Sequence, residues 1–276
     1  MLAVAQKRAR FAELHSGPGC FVIPNPWDVG STKYLASLGF KALATTSAGA
    51  AFAAGLPDGG MTRRAALAHI GDLVAATDLP FNADYEAGFA ATRDELHESV
   101  VRCIATGVAG FSIEDYTGDP RAPFYGVQEA AERIRVARAA IDASGERVLL
   151  TARSEAVLRG HPDGLSEALR RLSAYAEAGA DVLYAPGLRG ADEVGQVVRT
   201  AGRLPVNVLA LAPGLTLREL EDLGVRRVSV GGSLARGAWG GFMRAALDIA
   251  QHGRFDSLAQ GASYAELNKL FASGRA

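Results

Sequence analysis

Leu79-Pro80-Phe81-Asn82-Ala83-Asp84-Tyr85-Glu86 is a short apolar run that breaks abruptly into carboxylates. Thirty residues after Asp84, the run Gly110-Phe111-Ser112-Ile113 ends on Glu114-Asp115 in the same manner. Consecutive strand ends that finish on acidic residues fit a parallel α/β protein, in which the carboxyl ends of the strands form one face and neighbouring side chains meet there. Hard oxygen donors gathered in this way suit Mg²⁺, with Mn²⁺ as the alternative. Each carboxylate alone is equally compatible with a helix cap or a solvated loop; only their joint placement points to a cation site.

Outward from these two runs, apolar and β-branched segments recur along the chain, separated by stretches of helical periodicity. The expected strands are Cys20–Pro24, Ala42–Thr46, Phe81–Asp84, Gly110–Glu114, Val148–Ala152, Val182–Ala185, Val206–Leu209 and Arg227–Val230. Eight such βα units predict a (β/α)₈ TIM barrel. Leu38-Gly39, Thr106-Gly107, Ala178-Gly179 and Leu223-Gly224 each stand just before a strand, where glycine in the left-handed region ends a helix. Thr92 with Glu95, and Thr216 with Glu219, have capping-box spacing. Two further helices are expected, Ser233–Gln251 and Tyr264–Phe271. No linker or low-complexity tract divides the chain, so residues 1–276 read as one domain.

The 276 residues are 49% hydrophobic, enough for one substantial core, and the net charge of -1 gives no electrostatic case for nucleic acid or an acidic membrane surface. Cys20 and Cys103 match neither a disulfide framework nor a metal-ligand spacing and read as reduced, buried thiols. The start of the chain places Lys7, Arg8 and Arg10 after its apolar residues, the wrong order for a secretory signal, so the expected location is cytoplasmic. Lys7, Lys33, Lys41 and Lys269 all miss the strand ends, which removes a Schiff-base aldolase. The five histidines show no paired zinc spacing.

Beyond Asp84, Glu86 and Glu114, the fifth strand leads into Arg153, whose forked guanidinium suits a substrate carboxylate or, as the structural alternative, an ion pair with Glu155 or Glu114. Thr45-Thr46-Ser47-Ala48-Gly49 offers hydroxyls and backbone amides for a carboxylate or phosphate, or forms a plain turn. Val230-Gly231-Gly232-Ser233 opens a long helix and raises a second possibility, a phosphate-handling barrel.

Leu56-Pro57-Asp58, Asp84-x-Glu86-x-Gly88, Ile113-Glu114-Asp115 and Thr151-Ala152-Arg153-Ser154-Glu155, in this order and over roughly 21–242, resemble the isocitrate lyase and phosphoenolpyruvate mutase superfamily. The resemblance implies a barrel whose last helix is swapped between subunits of a homo-oligomer, a dimer or tetramer. It also implies Mg²⁺ held by Asp84, with Glu86 and Glu114 acting largely through water. A small carboxylate substrate would be gripped by Thr45, Thr46, Ser47, Gly49 and Asn207, with Arg153, Glu114 and Asp58 as catalytic residues. The second acidic position is usually Asp in that family, and Glu86 is longer by one methylene.

Other departures bear on the substrate. Isocitrate and methylisocitrate lyases carry a Lys-Lys-Cys-Gly loop after the fourth strand, where this chain reads Tyr116-Thr117-Gly118-Asp119-Pro120-Arg121-Ala122-Pro123. Their second-strand tyrosine is matched by Leu43 and their sixth-strand glutamate by Pro186. The Lys-Asn-Ser loop and the histidine of the phosphonate-rearranging members are also missing. The expected activity is therefore a Mg²⁺-dependent carbon-carbon lyase of a small 2-oxo or 2-hydroxy acid, working through a stabilised enolate. The alternatives are an oxo-acid decarboxylase or hydrolase, a phosphonate-processing enzyme, and a metabolite-binding protein without turnover. Tyr116, Tyr125, Tyr184 and His161 are the candidate general acids, and residues 116–126 are expected to form a mobile lid.

Overall fold

The computed structural model describes residues 2–272. Its strands are β1 (Phe21–Ile23), β2 (Leu43–Ala44), β3 (Phe81–Asp84), β4 (Gly110–Glu114), β5 (Leu149–Arg153), β6 (Val182–Tyr184), β7 (Val206–Leu209) and β8 (Arg227–Ser229). All eight expected strands are present, and none departs from its expected bounds by more than two residues. The helices are α1 (Val4–Ser16), α2 (Val29–Ser37), α3 (Ser47–Ala53), α4 (Arg63–Ala75), α5 (Arg93–Ala105), α6 (Val127–Ser144), α7 (Gly164–Glu177), α8 (Ala191–Ala201), α9 (Leu217–Asp222), α10 (Ser233–His252) and α11 (Tyr264–Ala272).

Every strand pair is parallel, in the order β1-β8-β7-β6-β5-β4-β3-β2. The remaining seam between β1 and β2 is drawn together by the Ala44 N–H on the Pro24 carbonyl at 3.0 Å and by Asn25 Nδ2 on the Thr45 carbonyl at 2.8 Å. The result is a nearly closed (β/α)₈ barrel. Gly39, Gly107, Gly179 and Gly224 all stand at φ between 84° and 98°, which returns the chain to the foot of the next strand. Both expected capping boxes form, with Thr92 and Thr216 as the N-caps.

Most of the core lies between the sheet and the helices, where Leu96, Val100 and Ile104 of α5 join Phe81, Phe111 and Ile113 of the strands. Helix α1, absent from the sequence reading, closes the foot of the barrel. Its Phe11 is fully buried against Ile23, Ala42, Ala44 and Ala109. Lys7 Nζ donates to the Val74 and Thr77 carbonyls at the end of α4, and Arg8 donates to those of Ile104 and Val108 after α5. Two of the basic residues that argue against a signal peptide, Lys7 and Arg8, thus serve the ends of α4 and α5, where unpaired carbonyls and the helix dipole favour cations.

Barrel interiors are commonly filled by bulky branched side chains. Here Asn82, Ser112, Thr151, Asn207, Arg227 and Ser229 are all buried and polar. All of these except Thr151 line a cavity of about 40 Å³ inside the sheet, together with Asp84, Arg153 and Tyr184. One water needs roughly 10–15 Å³ by this kind of measure, so the space suits a small polar group.

Candidate functional site

Strand alternation decides which carboxylates face the barrel interior. Asp84 and Glu114 lie on inward positions, whereas their neighbours Tyr85 and Asp115 turn outward. Tyr85 donates to the Ser99 carbonyl of α5. Asp115 accepts from Arg171 Nη1 at 2.9 Å, the Tyr175 hydroxyl at 2.7 Å and the Glu155 amide at 2.8 Å. Asp115 is therefore no part of the acidic mouth, although the sequence presents it beside Glu114; it braces the loop after β5.

Arg153 stands at the centre of the mouth. Its Nη1 lies 3.2 Å from Asp84 Oδ1 and 3.3 Å from Glu114 Oε2, and its Nε lies 2.5 Å from Glu155 Oε1. Its guanidinium also faces the Tyr184 ring at 5.3 Å. The structural alternative, pairing with Glu114 or Glu155, and the site alternative therefore coexist in one side chain. Burial opposes the Arg153 charge, but Glu155, Glu114 and Asp84 outweigh it and hold its pKa well above the ordinary value. Burial raises Glu114 well above the usual carboxylate range, against the pull of Arg153, with Glu155, Asp84 and Glu86 adding to the rise. Glu86 is pushed up to about 7 by burial, then by the Asp84 and Asp58 charges.

Asp84 is held from the other side by β2 and the turn that follows it. Its Oδ2 accepts from the Ser47 amide at 3.0 Å and the Ser47 hydroxyl at 2.9 Å, and its own amide donates to Thr45 Oγ1 at 2.9 Å. Thr46 is instead the N-cap of α3, accepting from the Gly49 amide at 3.1 Å. A Cβ on Gly49 would come within 2.6 Å of Thr46 Cγ2 and 3.0 Å of Trp27 Cβ, so in this structure Gly49 serves close packing and its amide serves the cap. Glu86 has φ 48° and Phe89 φ 53°, left-handed conformations that side chains other than glycine rarely adopt. The segment carrying Glu86 is thus strained where it meets the acidic cluster.

Asp58 sits at the rim, near enough to raise Glu86, with Arg159 Nη2 3.7 Å from its Oδ2. Arg159, which the sequence reading omits, also pairs with Glu155 at 3.1 Å and lies over the Tyr116 ring at 4.3 Å. It joins the loops after β2, β4 and β5. The loop over 116–126 folds back on itself through a bridge between Tyr116 and Phe124, and Thr117 Oγ1 donates to the Ala122 carbonyl at 2.6 Å. Of the four candidate acids, only Tyr184 lines the cavity, and burial pushes its hydroxyl up to about 12. Tyr116 packs under Arg159, Tyr125 under Arg133, and His161 against Phe124.

Asn207 lies at the base of the cavity and is 1% exposed. The glycine turn before α10 is engaged: the Val230 and Gly231 amides both donate to Asn25 Oδ1, at 2.9 and 2.8 Å, and the Ser233 amide to the Val230 carbonyl. The amides that suggest a phosphate cradle are thereby occupied. Cys20 is only half-buried, contrary to expectation, while Cys103 is buried as expected.

Among the described residues no group of three or more His, Cys, Asp or Glu side chains is arranged to hold a metal ion by itself. The chemistry of the mouth nevertheless fits a hard divalent cation. The cations paired with Asp84, Glu114, Glu155 and Asp58 are Arg153 and Arg159, and Glu86 and Glu114 are raised first by burial and then by the neighbouring carboxylates. A cation bound through Asp84 and water would relieve the repulsion among these carboxylates.

The architecture is thus a nearly closed parallel (β/α)₈ barrel with carboxylates and a largely buried arginine at its carboxyl mouth. The comparisons with known proteins narrow this to a family. Residues 11–250 match the phosphoenolpyruvate phosphomutase family, and the chain belongs to the phosphoenolpyruvate mutase and isocitrate lyase superfamily. A Burkholderia cenocepacia crystal structure, described provisionally as a lyase/mutase, superposes with a TM-score of 0.93 at 46% identity, covering 98% of this chain and 97% of that one. An uncharacterised Mycobacterium tuberculosis protein is 33% identical over 80% of this chain and 81% of its own. The 2-methylisocitrate lyase of Bacillus subtilis is 29% identical over 79% of this chain and 73% of its own. No helix among the described residues is long and apolar enough to cross a membrane.

Proposed function

We propose that the chain is a Mg²⁺-dependent carbon-carbon lyase acting on a small 2-oxo or 2-hydroxy acid. The observation that carries this reading is the Arg153 guanidinium held at the mouth of a small polar cavity, within 3.3 Å of both Asp84 and Glu114. Asp84 is the direct metal ligand, Glu86 and Glu114 act through water, and Mn²⁺ is the alternative ion. When bound, the cation supplies Lewis-acid polarisation of the substrate carboxylate and its adjacent oxygen. Ser47 and Thr45 hold the Asp84 carboxylate in place, and Asn207 closes the base of the cavity against the substrate. Arg153 offsets the negative charge that develops on the acid as its carbon-carbon bond breaks. Asp58 assists from the rim. The missing lyase loop leaves Tyr184 as the proton donor best placed to reach the interior.

The test is a screen of 2-oxo and 2-hydroxy diacids with Mg²⁺ or Mn²⁺, read for pyruvate, glyoxylate, oxalate and carbon dioxide, with Asp84→Ala as control. Cleavage that Asp84→Ala reduces by about 10³-fold is the expected result, the size seen when one pre-organised electrostatic group is lost. Full activity in Asp84→Ala would remove it from the metal shell. Tight Mg²⁺-dependent binding with no product would instead identify a metabolite-binding protein.

The same reading extends to assembly. Of the twenty residues of α10 only Ala235 is buried, while Phe242 is 63% exposed, Met243 54% and Leu247 50%. An apolar face of this extent calls for cover. We assign it to a second copy of the chain, in a dimer or tetramer with α10 exchanged, and a monomeric mass by light scattering at micromolar concentration would refute this.

A further inference from the structure

We infer that Arg227 is a positioning residue of the site: a donor-only cation in the barrel floor that fixes the Asn207 amide and the Ser229 hydroxyl beneath the cavity, oriented for a carboxylate above them. The inference rests on the oxo-acid reading for its ligand, though not for its geometry.

Arg227 opens β8 with its side chain inward and is 3% exposed. Its Nε donates to Asn207 Oδ1 at 2.8 Å, Nη2 to Thr151 Oγ1 at 3.0 Å, and Nη1 to His15 Nε2 at 3.2 Å and Asn82 Oδ1 at 3.4 Å. All of these partners are neutral, and among the described residues no carboxylate pairs with it. A buried charge without a counter-ion is costly, and neutral dipoles offset it only in part. Such a charge favours an anion brought into the adjacent space, and that space is the same cavity that Asp84 and Arg153 line from the mouth.

Hydrogen-bond chemistry then fixes the polarity of the floor. Arginine has donors and no acceptor, so the Asn207 atom facing it must be the carbonyl oxygen. The Asn207 amide nitrogen is thereby turned to Ser229 Oγ, 3.0 Å away. Because Ser229 accepts there, its own proton is left for the cavity side, where the Tyr184 hydroxyl is its neighbour. β7 and β8 reinforce the arrangement, since Asn207 pairs in register with Arg227. Without the arginine, the Asn207 amide could turn over and present its carbonyl toward an incoming carboxylate. Burial lowers the Arg227 pKa only to about 10, so the guanidinium remains charged at neutral pH.

The test uses the full-length chain with Mg²⁺ and oxalate, a planar dianion that resembles an enolised oxo acid, by titration calorimetry. Arg227→Met should weaken oxalate binding about tenfold to a hundredfold, as expected for a lost hydrogen bond to a charged group. Arg227→Lys, which keeps the charge but not the fork, should recover part of that affinity. The double variant Arg227→Met with Asn207→Ala should lose clearly less than the sum of the two single losses, because part of the arginine's effect passes through that amide. Should Arg227→Met fail to fold, Ser229→Ala should still weaken oxalate about threefold to tenfold. Unchanged affinity in a folded Arg227→Met, or strictly additive losses in the double variant, would overturn the inference. If the native chain takes up no oxalate at all, the oxo-acid reading falls, and positioning is decided by the ¹⁵N-labelled Asn207 side-chain amide. That amide should exchange with solvent at least tenfold faster in Arg227→Met than in the native chain, and equal rates would refute the role.

Discussion

Arg153, largely buried at the mouth, and Arg227, fully buried in the floor, belong to the same barrel, yet their surroundings are opposite. Arg153 meets three carboxylates, from Asp84, Glu114 and Glu155. Arg227 meets two asparagines, a threonine and a histidine. The charges around Arg153 hold its proton more tightly, whereas burial loosens the proton of Arg227 to a pKa of about 10. The mouth is thus over-compensated with anions and the floor under-compensated. The difference gives the interior a direction, with cations favoured at the mouth and an anion favoured below it. That direction matches a small acid that enters with its carboxylate inward and a divalent ion above.

The largest expected contrast comes from shortening the fork at the mouth. Arg153→Lys retains a charge among Asp84, Glu114 and Glu155 but cannot reach all three at once. In an assay on whichever acid the screen identifies, KM should rise about tenfold to a hundredfold, corresponding to one lost charge-assisted hydrogen bond. Unchanged kinetics would make the arginine a purely structural ion-pair partner and erase the functional half of the comparison.

How much of this was legible in the sequence follows from what each signal measures. The eight strands were, because short β-branched runs between helical stretches report burial directly, and the glycines at 39, 107, 179 and 224 report a backbone that few other residues adopt. The acidic mouth was legible in outline, since Asp84 and Glu114 end adjacent strands. Asp115 stands beside Glu114 in the chain yet faces outward, and the two-residue period counted from Ser112 separates them, since Ser112 and Glu114 share one face. Arg159 was missed because its partners, Asp58, Glu155 and Tyr116, come from three loops with no shared spacing. Arg227 was overlooked for the reverse reason. Arg226-Arg227 reads as a polar strand start, and only the alternation that puts Arg227 and Ser229 on one face, beside Asn207, betrays a charged floor. The N-terminal segment carried too few periodic apolar residues to announce α1, whose role depends on carbonyls of α4 and α5 far away in sequence.

The floor offers a smaller but cleaner effect through His15, which ties it to α1. Because Arg227 can only donate, His15 Nε2 is the acceptor, and Nδ1–H donates to the Phe11 carbonyl at 2.7 Å. The ring is therefore neutral. Burial, then the Arg227 charge, lower its pKa from 6.5 to about 3; the Phe11 carbonyl opposes this and Arg226 adds to it. The unfolded chain takes up a proton near pH 6.5 that the folded chain refuses until about pH 3. The His15 contribution to stability is thus fully present above pH 6.5 and is lost progressively as pH falls toward 3. At pH 5 the loss should be about 2 kcal/mol, from roughly 1.5 pH units at about 1.36 kcal/mol each. Urea unfolding of the native chain and His15→Gln at pH 7.5 and pH 5 isolates this contribution, because the carboxylates titrate alike in both. The native chain should lose about 2 kcal/mol more than His15→Gln between the two pH values, and parallel losses would mean that the histidine is charged in the fold. A charged His15 beside Arg227 would require an anion already in the floor, so the result also tests whether the two ends of the barrel differ as described.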